Sequence, residues 1–183
     1  MKNNKGIIFT LISLGALFYF FANFQRIAIP GAVFDLLQQE LSVSAPYITA
    51  FGAIFMYLYA VNQLIIGVLV DRYGGLRVML TGGIVLGIGA LLFPISTNLP
   101  LMYFSRVLVG IGGSCFYLSL IRELREYFSD KNFGIAISVM LCIGYCGGIA
   151  ANAPFVFVMK YMNWRTILVI LALIILAGVL LFI

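Results

Sequence analysis

The sequence contains no histidine, and only 9% of its 183 residues are charged. A chain without histidine lacks the commonest metal ligand and the side chain most often used for general acid–base catalysis. A water-soluble domain would carry charge on about a quarter of its residues. The three cysteines lie inside apolar runs, where packing is the ordinary role of a free thiol; the one-turn spacing of Cys142 and Cys146 leaves a metal or a disulfide as the minor alternative. We therefore expect no enzyme, no metal site and no cofactor.

What the sequence has in excess is apolar surface, with 63% hydrophobic residues and a mean hydropathy of +1.13. A helix needs roughly 20 apolar residues to cross a hydrocarbon core of about 30 Å. Continuous apolar character, without period-2 alternation, favours helices over a lipid-facing barrel. The sequence predicts an all-α polytopic membrane protein, a single bundle over residues 1–183 with six transmembrane helices at about 7–34, 46–70, 76–95, 101–121, 133–159 and 165–183.

Lysine and arginine fall unequally on the two sides of these predicted spans. One side carries seven cations: Lys2, Lys5, Arg72, Arg77, Arg122, Arg125 and Lys131. The other side carries two, Lys160 and Arg165. The positive-inside rule then predicts a multi-pass protein of the cell (inner) membrane with a cytoplasmic N-terminus. Because the cations are scattered among short loops, the net charge of +5 does not indicate a nucleic-acid partner. The last span is still apolar at Ile183, so either it ends flush with the membrane or the chain is the first part of something longer.

The loop after the second predicted span carries a recognisable pattern. Gly67, Asp71, Arg72, Gly74 and Arg77 follow one another in the register Gly, three residues, Asp, Arg, one residue, Gly and a basic residue. Gly74 allows a tight turn between the helices, and Asp71 and Arg72 can each pair with a helix end or a neighbouring span. A plain solvated turn is the alternative. The segment resembles the signature loop of the major facilitator superfamily, which has one more basic residue, and the resemblance implies a role for these five residues in conformational gating.

Two further segments resemble the same family. Arg106, Gly110 and Gly112 match an Arg-x-x-x-Gly-x-Gly motif in the fourth span, and residues 163–165 are similar to the Gly-Trp-Arg that often opens the sixth. Together the resemblances cover the whole chain and imply a major-facilitator-like N-terminal bundle, the first six of twelve spans. They imply transport by rocking of two bundles about a midplane site, with a second six-helix half or another copy of the chain as partner.

Arg26 and Arg106 are the two arginines placed inside predicted spans. Because burying an arginine in a membrane costs roughly 2.5 to 3.5 kcal/mol even on the lenient insertion scale, each should face a wet cavity or a partner. Both lie in the same half of the membrane, so they could serve one cavity. Snorkelling to the interface is the alternative for Arg26, and a helix-bridging structural role is the alternative for Arg106.

Polar residues at helical spacing form stripes on four of the spans. The resemblance implies that these spans line the central pathway, and the candidate solute-binding residues are Tyr19, Asn23, Arg26, Gln63, Arg106, Tyr117, Tyr145 and Asn152. Bridging between helices is the alternative for each polar residue. Paired small residues, Gly83 with Gly87 and Gly144 with Gly148, are interpreted as helix-packing sites.

The interiors of the predicted spans contain no Asp, Glu or His. Two arginines without an acid favour a small anionic solute, such as a carboxylate or a phosphate ester. The leading hypothesis is secondary active or facilitative transport of a small organic solute through the lipid bilayer. The alternative is a non-transporting membrane assembly or regulatory subunit that keeps the bundle fold.

Overall fold

The structure, a computed structural model, describes residues 4–182, and every regular element in that range is a helix. Six of the helices are long and apolar enough to cross a membrane: α1, α3, α4, α5, α6 and α8. The predicted all-α polytopic fold is confirmed. In chain order the helices are α1 (Asn4–Ala28), α2 (Phe34–Leu41), α3 (Ala45–Tyr73), α4 (Gly75–Ile95), α5 (Leu99–Tyr127), α6 (Asp130–Ala150), α7 (Ala153–Val158) and α8 (Trp164–Phe182). Lys2, one of the seven cations counted for orientation, lies outside the described residues.

Two of the predicted spans are too long because each runs through a proline. The first ends at Ala28 rather than at residue 34, since Pro30 has no N–H with which to continue the helix. The chain then turns into α2, a short amphipathic helix that buries Leu37 completely. The fifth predicted span, 133–159, is two helices, broken at residues 151 and 152 ahead of Pro154, which occupies the first turn of α7.

The helix that contains the fourth predicted span extends beyond both of its ends. The helix begins where Asn98 caps it, its Oδ1 accepting the Leu101 N–H at 3.0 Å, and runs on to Tyr127. Glu123 therefore lies within α5 and is only 7% exposed. Glu123 follows the predicted span 101–121, so it does not contradict the expectation that the span interiors contain no Asp, Glu or His.

Helix α5 is the centre of the bundle, packed against α1, α3 and α4, while α1 also packs on α6 and α4 on α8. Glycines bring these helices together: a Cβ at Gly112 would lie 2.7 Å from the Gly82 carbonyl oxygen, across the α4–α5 contact. The predicted packing glycines behave in the same way, since a Cβ at Gly87 would lie 2.5 Å from Leu176 Cδ2 and one at Gly148 2.7 Å from Ile27 Cδ1. Small residues thus set the close helix approaches.

Candidate solute-binding site

The predicted polar stripe on α1 forms one side of a cluster of polar residues inside the bundle. Tyr19 and Asn23 are buried, whereas Arg26 is half-buried. Arg26 shares a face of α1 with Tyr19 and Asn23. The Asn23 amide donates to the Tyr19 carbonyl oxygen at 2.9 Å, so one of its donors is used within α1.

Tyrosines from three helices surround this wall. The charge of Arg26 acts on the hydroxyls of both Tyr19 and Tyr59, and each of these hydroxyls also lies within electrostatic range of Tyr117. The rings of Tyr19 and Tyr117 are 6.3 Å apart between centroids. We name Arg26, Tyr19, Tyr59 and Tyr117 the arginine–tyrosine cluster. Tyr145, on α6, also interacts with Tyr19 but is 56% exposed.

Tyr59 was not among the predicted binding residues, although it shares a helix face with Gln63. The Gln63 amide donates to the Ser114 carbonyl oxygen at 3.3 Å, joining α3 to α5. Gln63 therefore bridges helices. Asn152 lies elsewhere, exposed at the break between α6 and α7, with its amide donating to Gly148 at 2.7 Å.

Arg106 occupies a different environment from Arg26. Its side chain is fully buried, with Nε donating to the Phe51 carbonyl oxygen at 3.2 Å and Nη1 to that of Gln25 at 3.1 Å. The guanidinium carbon also lies 5.3 Å from the centre of the Phe55 ring. These contacts tie α5 to α1 and α3, so the helix-bridging alternative describes what Arg106 does here. Its part in solute binding stays a prediction.

Gln25 is a buried polar residue that sequence reasoning missed. It is 1% exposed, and within the described chain neither of its side-chain amide atoms nor Arg106 Nη2 has a hydrogen-bond partner. Gln25 falls outside the Tyr19 and Arg26 stripe, so helical spacing gave no signal for it. Its main-chain contact with Arg106 depends on how α1 meets α5.

The signature loop is a one-residue break between two long helices. Gly74 has φ +90, and its N–H donates to the Val70 carbonyl oxygen at 3.0 Å, closing α3 before α4 begins at Gly75. This positive φ is strained for residues that carry a Cβ, which confirms the reason given for a glycine here. Asp71, Arg72 and Arg77 are exposed, and Gly67 faces α5, where a Cβ would lie 3.9 Å from Leu118. Their predicted role in gating stays a prediction.

Sequence reasoning also missed the pair of charged residues that holds this loop. Arg122 Nη1 donates to the Val70 carbonyl oxygen at the end of α3, and Glu123 accepts the Leu76 N–H at 3.1 Å at the start of α4. A cation thus meets a helix C-terminus and an anion meets a helix N-terminus, which matches both helix dipoles. The available signal was the Arg-Glu pair directly after the apolar run of the fourth span.

Another arginine, Arg165, joins several helices at the opposite end of the bundle. Arg165 ion-pairs with Glu40 of α2, with Nη2 at 2.8 Å, and its Nη1 donates to the carbonyl oxygens of Pro94 and Ser96. Its guanidinium lies 4.5 Å from the centre of the Trp164 ring. The prediction that residues 163–165 open the sixth span is confirmed, since α8 begins at Trp164.

The described residues offer no clustered metal ligands. Residues 4–182 hold no group of three or more His, Cys, Asp and Glu side chains placed to bind a metal ion. Cys142 and Cys146 are exposed free thiols on α6, and Cys115 is a buried one. The arrangement is that of a polytopic membrane bundle with a positively charged polar cluster inside it.

The model of the Major Facilitator Superfamily matches residues 12–183, and the chain belongs to this family of transporters. It is therefore a multi-pass membrane protein of a non-enzymatic family. It is 29% identical over 106 residues to the 3-(3-hydroxy-phenyl)propionate transporter of Escherichia coli, covering 58% of this chain and 26% of that protein. It is 20% identical over 161 residues to the "probable sulfoacetate transporter" of Cupriavidus necator, covering 88% and 37%. It is 29% identical over 170 residues to the glucose transporter of Staphylococcus epidermidis, covering 85% and 34%.

The chain spans between about a quarter and just over a third of the length of these curated relatives. The activity of a whole transporter is therefore a proposal for this chain.

Proposed function

We propose that the chain is one six-helix half of a twelve-helix secondary transporter, and that it moves a small organic anion across the membrane by alternating access. The environment of Arg26 is the observation that supports an anionic solute. Among the described residues the ion pairs join Arg122 to Glu126 and Arg165 to Glu40, and none involves Arg26. A half-buried guanidinium without a carboxylate partner, beside tyrosine hydroxyls, is suited to bind an anion by charge-assisted hydrogen bonds.

The names of two relatives support the same class of solute. One is named for a propionate and one for sulfoacetate, which are both organic anions, whereas the third is named for glucose, which is neutral. An anion would bind where Arg26 and the hydroxyls of Tyr19 and Tyr59 converge. The aromatic rings of the cluster would pack against the organic part of the solute.

The most exposed helices supply the surface for a second bundle. Leu64 and Val68 of α3 are 81% and 67% exposed, and Ile135 and Ile149 of α6 are 67% and 66% exposed. A second six-helix half, or another copy of this chain, would cover these faces and close the pathway around the cluster. Rocking of the two bundles about that site would then expose it to each side in turn. The cation distribution favours a cytoplasmic N-terminus in an inner membrane.

The test is solute exchange in proteoliposomes loaded with an unlabelled organic anion. We expect uptake of labelled 3-phenylpropionate or sulfoacetate by the wild type, loss of uptake in Arg26→Gln, and unchanged uptake in Arg125→Gln, which removes an exposed cation from the end of α5. Uptake of glucose with no uptake of either anion would refute the anionic solute. Equal uptake by wild type and Arg26→Gln would refute the site, and no uptake of any solute would refute pairing of two copies of this chain into a working transporter.

A further inference from the structure

The side chains that surround Arg26 in the arginine–tyrosine cluster all carry aromatic rings. The rings come from three helices, with Tyr19 on α1, Tyr59 on α3 and Tyr117 on α5. Tyr19 is 6% exposed, whereas Tyr59 and Tyr117 are half-buried and keep accessible ring surface. A serine or threonine hydroxyl would hydrogen-bond an anion as a tyrosine hydroxyl does. The hydroxyls alone therefore do not account for three rings at this place.

The Tyr59 ring is supported on one face by a buried aromatic ring. Phe55, one helical turn earlier on α3, is 1% exposed, and its ring centre lies 5.9 Å from that of Tyr59 at an interplanar angle of 23°. The Arg106 guanidinium carbon lies 5.3 Å from the centre of the Phe55 ring and helps to hold Phe55 in place. The position of Tyr59 is thus set before a solute arrives. A solute that binds a fixed surface loses little affinity to the ordering of side chains.

The Tyr19 and Tyr117 rings form a second supported pair. Their centroids are 6.3 Å apart with an interplanar angle of 36°, and a Cβ at Gly144 of α6 would lie 3.1 Å from Tyr19 Cζ. Inserting a third ring between two others needs about 7 Å, twice the contact distance of about 3.5 Å between carbon atoms. A solute ring therefore packs against the accessible surface of Tyr117 rather than between the two tyrosines.

Such rings distinguish an aromatic solute from an aliphatic one. Because the face of an aromatic ring is negative and its edge is positive, two rings attract one another beyond the area that they bury. An aliphatic group on the same surface gains only the buried area. Building on the anion site proposed above, we propose that the solute is an aromatic acid, whose anionic group binds Arg26 and whose ring packs against Tyr59 and Tyr117.

The test compares two acids of equal charge and chain length, 3-phenylpropionate and 3-cyclohexylpropionate, by calorimetry of the protein in nanodiscs. The saturated ring is at least as apolar as the phenyl ring, so burial of area alone would not favour 3-phenylpropionate. We expect the wild type to bind 3-phenylpropionate about tenfold more tightly, the effect of one or two aromatic pairs.

Variants of the two half-buried tyrosines locate the preference. Tyr59→Leu and Tyr117→Leu remove a ring, and each should reduce the ratio of the two affinities by about threefold. Tyr59→Phe and Tyr117→Phe keep the ring and should keep the ratio, whatever loss of the hydroxyl does to both affinities. Tyr161→Leu removes a tyrosine that is 73% exposed and outside the cluster, and it should leave the ratio unchanged. Thermal unfolding checks that each variant is folded, and the wild-type ratio needs no variant.

The contrary results separate this inference from the anion site on which it rests. Equal affinities of the wild type for the two acids, with both lost in Arg26→Gln, would overturn the aromatic solute and leave the anion site in place. An unchanged ratio in both leucine variants would mean that the tyrosines only bridge helices. Binding of neither acid, or equal binding by wild type and Arg26→Gln, would refute the anion site and the aromatic solute together.

Discussion

Adding one methyl group at Gly147 should force α1 and α6 apart. A Cβ there would meet the Phe20 carbonyl oxygen and would lie 2.9 Å from the carbonyl carbon and 3.1 Å from the Cα of the same residue. All three are backbone atoms, which cannot rotate away as a side chain can. Overpacking of this kind costs about 1–3 kcal/mol. Replacing a helical glycine by alanine recovers about 0.5–1 kcal/mol, so Gly147→Ala should still be destabilised overall.

Gly134 on the same helix provides the matched control. A Cβ at Gly134 would meet nothing within 4 Å, so Gly134→Ala should show only the gain in helix propensity, about 0.5–1 kcal/mol. The propensity term is common to both variants and cancels in their difference. That difference should be about 1–3 kcal/mol, the overpacking term alone. Equilibrium unfolding in mixed micelles, followed by far-UV circular dichroism, measures it. Equal stability of the two variants would refute the close approach of α1 and α6.

Four further substitutions test three other sets of contacts by the same unfolding assay. Arg165→Ala removes a donor shared by two carbonyl oxygens and a carboxylate and should cost about 2–4 kcal/mol, whereas Glu40→Gln removes only a partly exposed charge and should cost about 0.2–1 kcal/mol. Glu123→Ala leaves the Leu76 N–H without its acceptor and should cost about 1–2 kcal/mol. Arg106→Lys should cost about 1.5–3 kcal/mol, because an ammonium cannot reach carbonyl oxygens on two helices as the guanidinium does.

Each of these expectations has a contrary result. Equal effects of Arg165→Ala and Glu40→Gln would mean that the backbone contacts of Arg165 contribute nothing. An unchanged stability for Glu123→Ala would remove the helix-capping role of Glu123. Loss of anion binding by Arg106→Lys at unchanged stability would return Arg106 to the solute site.

The spans could be predicted because apolar length alone defines them, but their ends depend on local chemistry that hydropathy averages out. Pro30 and Pro154 shortened two predicted spans. Helix α5 continues beyond the apolar run, and there Glu123 accepts the Leu76 N–H at the start of α4. Hydropathy carries no signal for such a contact.

The site was partly predictable for a similar reason. Helical periodicity placed Tyr19 and Arg26 on one face, and the structure brings Tyr117 to the same cluster. The partners of Arg106 were not predictable, since they are main-chain carbonyl oxygens selected by how three helices meet. Side-chain patterns carry no information about such acceptors.

The most direct test of the account is a double-mutant cycle between Arg26 and the charge of the solute. Calorimetry would measure the binding of an aryl carboxylate and of its neutral amide to wild type and to Arg26→Gln. If Arg26 binds the anionic group, the two changes should couple by about 1.5–3 kcal/mol, the contribution of a hydrogen bond to a charged group. If the two changes are additive, Arg26 does not contact the anion, and the proposed site is wrong.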